Sequence, residues 1–188
     1  MWRFVVGKLD CGQLMFVDEM GTHTSLAPLY GYSPRGKRAF FKLPRNRGKN
    51  TTLLASIGCE GMGPSIVVEG STSTSGEVFE AYVEHLIAPT LRAGQVVVMD
   101  NLSAHKGGRV RELIEERSCE LIYLPPYSPD FNPIEEAFSK VKRILREVRA
   151  RTRGALVEAI GGALDAVSAR DAEGFFEHCG YRTLTQQL

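Results

Sequence analysis

The chain has 188 residues, enough for one domain with a buried core, and its make-up (43% hydrophobic, 24% charged, net charge +1) is that of an ordinary soluble globular protein. No segment approaches the roughly 18 apolar residues that a membrane span needs, and Met1-Trp2-Arg3-Phe4-Val5-Val6-Gly7-Lys8 lacks the long apolar stretch of a secretory signal. Cys11, Cys59, Cys119 and Cys179 stand far apart with no CxxC pair, which argues against a zinc site and suggests no disulfide framework, so a reduced, intracellular protein is expected.

Leu14-Met15-Phe16-Val17 is a continuous apolar run entered through Asp10-Cys11-Gly12, and it predicts a buried strand that ends at Asp18. A second strand is expected over residues 24–30, after a turn near Gly21. Gly31, Pro34 and Gly36 then break the pattern before a short strand at 39–43. Residues 51–57 read as a buried strand, Gly61, Gly63 and Pro64 as a turn, and 65–69 as a returning strand. The small, polar stretch 71–76 reads as a flexible loop. The period then changes: Val78, Phe79, Tyr82, Val83, Leu86 and Ile87 recur at helical spacing, with Ser75 as N-cap. Residues 95–99 form an apolar strand ending at Asp100. Val110, Leu113 and Ile114 mark a helix from near Lys106, and 120–124 is a strand closed by Pro125-Pro126. A Pro-rich loop over 127–132 leads into a helix from Pro133 to about Ala150. Leu156, Ala159, Ile160, Ala163, Leu164 and Val167 share one face of a further helix, and a short helix covers 171–178.

Consecutive strands followed by alternating strands and helices predict an α/β sandwich, with a mixed sheet antiparallel in its early strands and parallel in its later ones, flanked by helices. The main domain is expected to span residues 1–150, with 151–188 as a C-terminal helical extension packed on it.

Two apolar strands each end in an aspartate, Asp18 and Asp100. Alone, either is a polar residue leaving a strand; functional groups in open α/β sheets also collect at such ends. Two of them with a third acid from a nearby helix describe a hard-cation site, since Mg²⁺ takes oxygen ligands from a few carboxylates, water and substrate phosphate. Two such ions about 4 Å apart serve phosphoryl transfer. The third acid is Glu135 or Glu136. With Asn132 as N-cap and Pro133 at the first helical position, Glu135 also suits a capping box. Periodicity does not choose, because both acids flank the face of Ile134, Phe138, Val141 and Leu145. Lys140, four residues after Glu136, mildly marks that acid as surface.

Charge is segregated. Between Glu19 and Glu60 there is no acid, yet Arg35, Lys37, Arg38, Lys42, Arg45, Arg47 and Lys49 are all cationic. A second run holds Lys140, Lys142, Arg143, Arg146, Arg149, Arg151 and Arg153, interrupted only by Glu147. Such runs are solvated faces or phosphate-backbone contact surfaces; charge alone does not decide. For Glu19 and Asp130, turn and loop roles are the default.

Three motifs add a family resemblance: Phe16-Val17-Asp18-Glu19; Met99-Asp100-Asn101 followed by Ala104-His105; and Pro125-Pro126-Tyr127-Ser128-Pro129-Asp130-Phe131-Asn132-Pro133-Ile134-Glu135. In this order, with 34 residues between Asp100 and Glu135, the chain resembles the DDE transposase catalytic domain of the mariner superfamily, particularly its bacterial insertion-sequence branch. The likeness extends to the ending Phe175-Phe176-Glu177-His178-Cys179-Gly180-Tyr181. It implies a ribonuclease H-like fold, Asp18, Asp100 and Glu135 as catalytic, metal-binding residues, and two Mg²⁺ (or Mn²⁺) ions as cofactor. The implied activity is cleavage of DNA phosphodiesters at transposon ends and strand transfer to target DNA. The implied partners are double-stranded DNA and further copies of the chain in a homo-oligomer, in the bacterial cytoplasm at the nucleoid. Arg35, Lys37, Arg38, His105, Lys106 and Lys142 are the residues expected to meet DNA; for His105 a structural hydrogen bond is the plainer reading. One departure stands out. Members of the family carry a helix-turn-helix region ahead of the catalytic domain, so a separate or frameshift-joined N-terminal region, or a truncated element, is expected. The rival reading is a non-catalytic remnant that binds DNA or full-length transposase. A third, a structure-selective nuclease on the same fold, is disfavoured by the Asn-Pro-Ile-Glu motif.

Overall fold

The computed structural model describes residues 9–43, 49–69, 75–101, 107–126 and 128–182. Among them five strands form one sheet: β1 (Leu14–Thr22), β2 (Thr51–Gly58), β3 (Gly61–Glu69), β4 (Val96–Met99) and β5 (Glu120–Tyr123). Their spatial order is β3-β2-β1-β4-β5. The β1–β2 and β2–β3 pairs are antiparallel, and the β1–β4 and β4–β5 pairs are parallel. This is the mixed sheet that the element order predicts. The helices are α1 (Gly76–Tyr82), which runs on into a π turn over Val83–Ile87, then α2 (Gly108–Glu115), α3 (Pro133–Val148), α4 (Arg153–Asp165) and α5 (Ala169–His178).

Strand alternation sorts the side chains onto two faces. Leu14, Phe16 and Met20 of β1 join Val96 and Val98 of β4 in one core, covered by Phe138, Val141 and Leu145 of α3, Leu156 and Ile160 of α4, and Phe176 of α5. Val17, Val97 and Met99 turn the other way, under Phe79 and Tyr82 of α1 and Val110 and Ile114 of α2. Each such fully buried side chain contributes about 1.5–3 kcal/mol. Residues beyond 150 therefore belong to the same core as the central strand. Helix starts follow their caps: Ser75 Oγ accepts from the Val78 N–H, Thr152 Oγ1 from the Ala155 N–H, and Ser168 forms a capping box with Asp171.

Several expectations are corrected. β1 does not end at Asp18 but continues to Thr22, because β2 keeps pairing with it from Asp18↔Ala55 through to Thr22↔Thr51. The strands expected at 24–30 and 39–43 are absent: both stretches lack regular structure, and Tyr30 and Phe40 are each 90% exposed. Neither stretch pairs with a strand of the sheet, so their β-forming residues are without the ladder that would make them strands. β3 begins at Gly61 rather than 65, after a turn at Cys59 and Glu60. Pro64 is tolerated inside it because β3 is an edge strand. A Cβ at Gly63 would lie 2.4 Å from Ser56 Oγ, so a larger residue there would have to turn that hydroxyl away from the Pro64 carbonyl to which it donates. The helix expected from near Lys106 starts at Gly108, and Lys106 and residues 71–74 of the expected loop lie outside the described residues. Finally, Cys11 and Cys59 form a disulfide, their Cα atoms 6.1 Å apart across 48 residues of sequence. Cys11 leads into β1 and Cys59 leaves β2, so the antiparallel pairing makes neighbours of residues whose spacing suggested none.

Candidate active site

The parallel pairing of β1 and β4 runs Leu14↔Val96 to Val17↔Met99. The residue that follows each of these last partners is an aspartate, Asp18 within β1 and Asp100 just beyond β4, on neighbouring strands that run about 4.8 Å apart. Both share the parity of Phe16 and Val98, so both belong to the face that α3 covers. β4 stops at Met99 while β1 continues, and Asp100 therefore stands where the sheet opens. α3 reaches that opening with its first turn, which carries Glu135, while Ile134, Ala137 and Phe138 anchor it in the core. Asp18, Asp100 and Glu135 accordingly line one cleft of about 560 Å³ with Glu19, Asn101, Leu124, Pro125, Pro126, Ser128, Pro129 and Asn132. Asp18 is the deep member at 6% exposure, Asp100 is half-buried and Glu135 exposed.

Asn132 departs from its expected role. It makes no side-chain cap on α3; its Nδ2 donates to Asp18 Oδ2 at 2.8 Å. The other oxygen of Asp18 accepts from the Glu19 N–H at 2.7 Å. Asn132 is 4% exposed, and its Oδ1 is buried without a hydrogen-bond partner. The amide thus ties the loop before α3 to the first aspartate. Asn-Pro ahead of a helix reads as a cap in any sequence, so only the fold could reveal this second use. Glu136 turns the opposite way from Glu135. It pairs with His178 Nδ1 of α5 and lines a second cleft with Pro28, Leu29, Tyr30, Lys140, Arg143 and Arg146. That hydrogen bond, with the charges of Glu136 and Asp130, raises the His178 pKa. Burial pushes the Cys179 thiol up to about 12, which makes it a poor nucleophile.

The basic runs split by role. Arg35, Lys37, Arg38 and Lys42 lie on the exposed segment after β1. In the second run, Lys140 pairs with Asp171 at 2.6 Å and Arg143 with Glu147 at 3.0 Å. Arg151 donates to the carbonyls of Thr24 and Leu26, and Arg149 and Arg151 lie over the Phe41 ring at 4.7 and 5.9 Å. These contacts fasten the exposed segment along α3, so the two runs adjoin. Lys142 is half-buried on α3, and His105 and Lys106 lie outside the described residues.

Among the described residues no three acidic, histidine or cysteine side chains close into a cage for a metal ion. The donor set nonetheless suits a hard divalent cation. It is all oxygen, free of thiol and imidazole, and open to a cleft where water and a phosphate can complete the shell, as Mg²⁺ prefers. Among the described residues no helix is long and apolar enough to cross a membrane.

Comparison with known proteins agrees with this fold. The Tcb1 and Tcb2 transposable-element transposases of Caenorhabditis briggsae are each 35% identical over 77 residues, covering 39% of this chain and 28% of theirs. The crystal structure of the catalytic domain of Mos1 mariner transposase superposes with a TM-score of 0.66 at 15% identity, covering 92% of this chain and 81% of that one. A pre-cleavage Mos1 transpososome gives 0.70 at 17% identity, over 92% of this chain and 55% of that one. At such identities the likeness is one of fold, the ribonuclease H-like arrangement expected from the sequence. The chain spans only part of the transposases it matches. Residues 13–157 fit the family model for DDE superfamily endonucleases, and with most of its length inside that model the chain belongs to this family.

Proposed function

We propose that the chain is the catalytic domain of a mariner-type transposase, which cuts DNA phosphodiesters at transposon ends and transfers strands to target DNA with a divalent metal. The observation that carries this reading is the neighbouring strands, shared face and shared cleft of Asp18 and Asp100, with Glu135 delivered to the same cleft by α3. Asp18, Asp100 and Glu135 would hold two Mg²⁺ or Mn²⁺ ions, which supply charge stabilisation at the attacking and leaving oxygens of a phosphodiester. Asn132 holds Asp18 in one orientation, and the cleft walls of Leu124, Pro125 and Pro126 limit how a phosphate can approach. Double-stranded DNA would lie across the adjoining basic runs, with Arg35, Lys37, Arg38 and Lys142 on its phosphates and little sequence preference from this domain. A helix-turn-helix region on a longer or separate polypeptide, and a second copy of the chain, would complete the transposition complex. The 34-residue spacing from Asp100 to Glu135 favours the bacterial insertion-sequence branch, at work in the nucleoid.

The test is titration with Mn²⁺ followed by electron paramagnetic resonance, alongside Mn²⁺-dependent nicking of a duplex. Asp100→Asn and Glu135→Gln should each weaken Mn²⁺ binding more than about tenfold, a loss of roughly 1.4 kcal/mol, and abolish nicking. Glu136→Gln should leave both close to wild type. A chain that binds DNA but neither ion would be the non-catalytic remnant instead.

A further inference from the structure

We infer that Tyr181 is a positioning residue for the carboxylate site, acting from the C-terminal end of the described chain through the turn that precedes α3. The inference rests on reading Asp18, Asp100 and Glu135 as metal ligands. Tyr181 is 5% exposed, and its hydroxyl donates to the Phe131 carbonyl at 2.6 Å. Phe131 closes the short 3₁₀ turn Pro129–Phe131, the next residue is Asn132 with its bond to Asp18, and Glu135 follows in the first turn of α3. The Tyr181 ring also lies 5.1 Å from that of Phe16, two residues before Asp18 on the same face of β1. One side chain therefore bridges the strand that carries the first acid and the turn that sets the third.

The loop needs such an anchor. Pro125, Pro126 and Pro129 have no N–H to donate, so the bonds within the loop are short-range ones: Phe131 N–H to the Ser128 carbonyl, Asn132 N–H to the Pro129 carbonyl and Ser128 Oγ to the Pro126 carbonyl, while the Phe131 carbonyl takes the Tyr181 hydroxyl from outside the loop. Tyr181 is fixed in turn: its N–H donates to the Phe176 carbonyl at 2.8 Å, its ring packs 6.0 Å from that of Phe176, and the next residue, Arg182, accepts from the Cys11 N–H at 3.2 Å. The opposite face of the sheet supplies a matched contrast. Tyr82 is equally buried, and its hydroxyl also donates to a backbone carbonyl, that of Pro64, at 2.7 Å. Pro64 lies in the edge strand β3, two strands away from β1 and its aspartate.

The test compares Tyr181→Phe with Tyr82→Phe in the full chain. Each loses one hydroxyl and keeps its ring. Urea unfolding should report similar stability losses, while Mn²⁺ titration should separate the two. Tyr181→Phe should weaken Mn²⁺ affinity about tenfold, the lower end of what outer partners of metal sites command, and Tyr82→Phe should stay within about twofold of wild type. The inference is overturned if Tyr181→Phe keeps wild-type affinity, if Tyr82→Phe weakens it as much, or if Tyr181→Phe fails to fold, which would make the hydroxyl a determinant of the fold. Wild-type chain that binds no Mn²⁺, or Asp100→Asn that binds it unchanged, would instead sink the metal-ligand reading, and this inference with it.

Discussion

The two faces of the sheet are built from the same strands and do different work. Under α1 and α2 the face is mostly apolar: Val17, Val97 and Met99 meet Phe79, Val110 and Ile114, and the Pro64 carbonyl accepts from both the Tyr82 hydroxyl and Ser56 Oγ. Under α3, α4 and α5 the pattern is the same until just past the last β1–β4 pair, Val17↔Met99, where Asp18 and Asp100 follow the apolar residues. The helix on that side starts at Pro133, late enough to leave the two acids in a cleft and early enough to present Glu135 to it. On the proposed reading, function is thus a matter of phase. A one-residue shift in either strand would send its aspartate into the dry core on the other side.

That comparison is broken most severely through Phe16, the residue that joins the apolar part of the cleft face to its polar end. Its ring lies 5.4 Å from Phe176 and 5.1 Å from Tyr181. Phe16→Ala should cost about 3–5 kcal/mol in urea unfolding, and the cleft should lose its ion affinity under conditions where the chain is still folded. Leu54→Ala, in the opposite core, should cost about 2–5 kcal/mol and spare the affinity. Equal losses of affinity would mean that the two faces are not separable.

A smaller effect should come from Asn132→Ala, which removes the donor to Asp18 and leaves a buried carboxylate oxygen with one partner fewer. The expected loss is about 1–3 kcal/mol, together with weaker Mn²⁺ binding. If the variant is as stable as wild type and binds the ion as well, the Asn132–Asp18 bond matters neither to the fold nor to the site.

How much of this the sequence disclosed follows the same division. The place of Asp18 and Asp100 just after two central strands was readable because Leu14–Val17 and Val96–Met99 are continuous apolar runs, and such runs announce strands buried on both sides; having no alternation, they did not say which face the acids take. The start of α3 was readable from Asn132-Pro133. The choice of Glu135 over Glu136 was not: helical periodicity left both beside the apolar face, and the resemblance had to decide. The structure separates them by partner, since His178 of α5 takes Glu136 away from the cleft. What stayed hidden depends on contacts distant in sequence. Asn132 reaches Asp18 across 114 positions, Tyr181 reaches Phe131 across 50, and Cys11 meets Cys59 across 48. The false strands at 24–30 and 39–43 are the converse error. Their residues favour β structure, but strand formation needs a neighbouring edge, and the edges of β1 are already taken by β2 and β4.

The smallest expected effect lies at the rim, where the two sides differ in how their surface charges titrate. On the cleft side, His178 pairs with Glu136 and feels Asp130, both of which raise its pKa above the ordinary value near 6.5. A histidine whose folded pKa exceeds its unfolded one adds stability that is fully present below the unfolded pKa and is lost as pH rises through the folded one. On the α2 side, Arg109 meets Glu84, Glu112 and Glu116, and its pKa is also raised, far above any physiological pH. Both groups are exposed, so screening keeps each contribution small. The expected difference is therefore one of shape. The gap in melting temperature between wild type and His178→Gln should be widest below the ordinary histidine value of about 6.5 and should shrink as pH rises above it. The gap for Arg109→Gln should stay flat across that range, since the guanidinium keeps its charge throughout. A His178→Gln gap that persists undiminished at alkaline pH would show that the side chain acts there by packing, with Glu136 held away from the cleft by α5 whatever the charge on its partner.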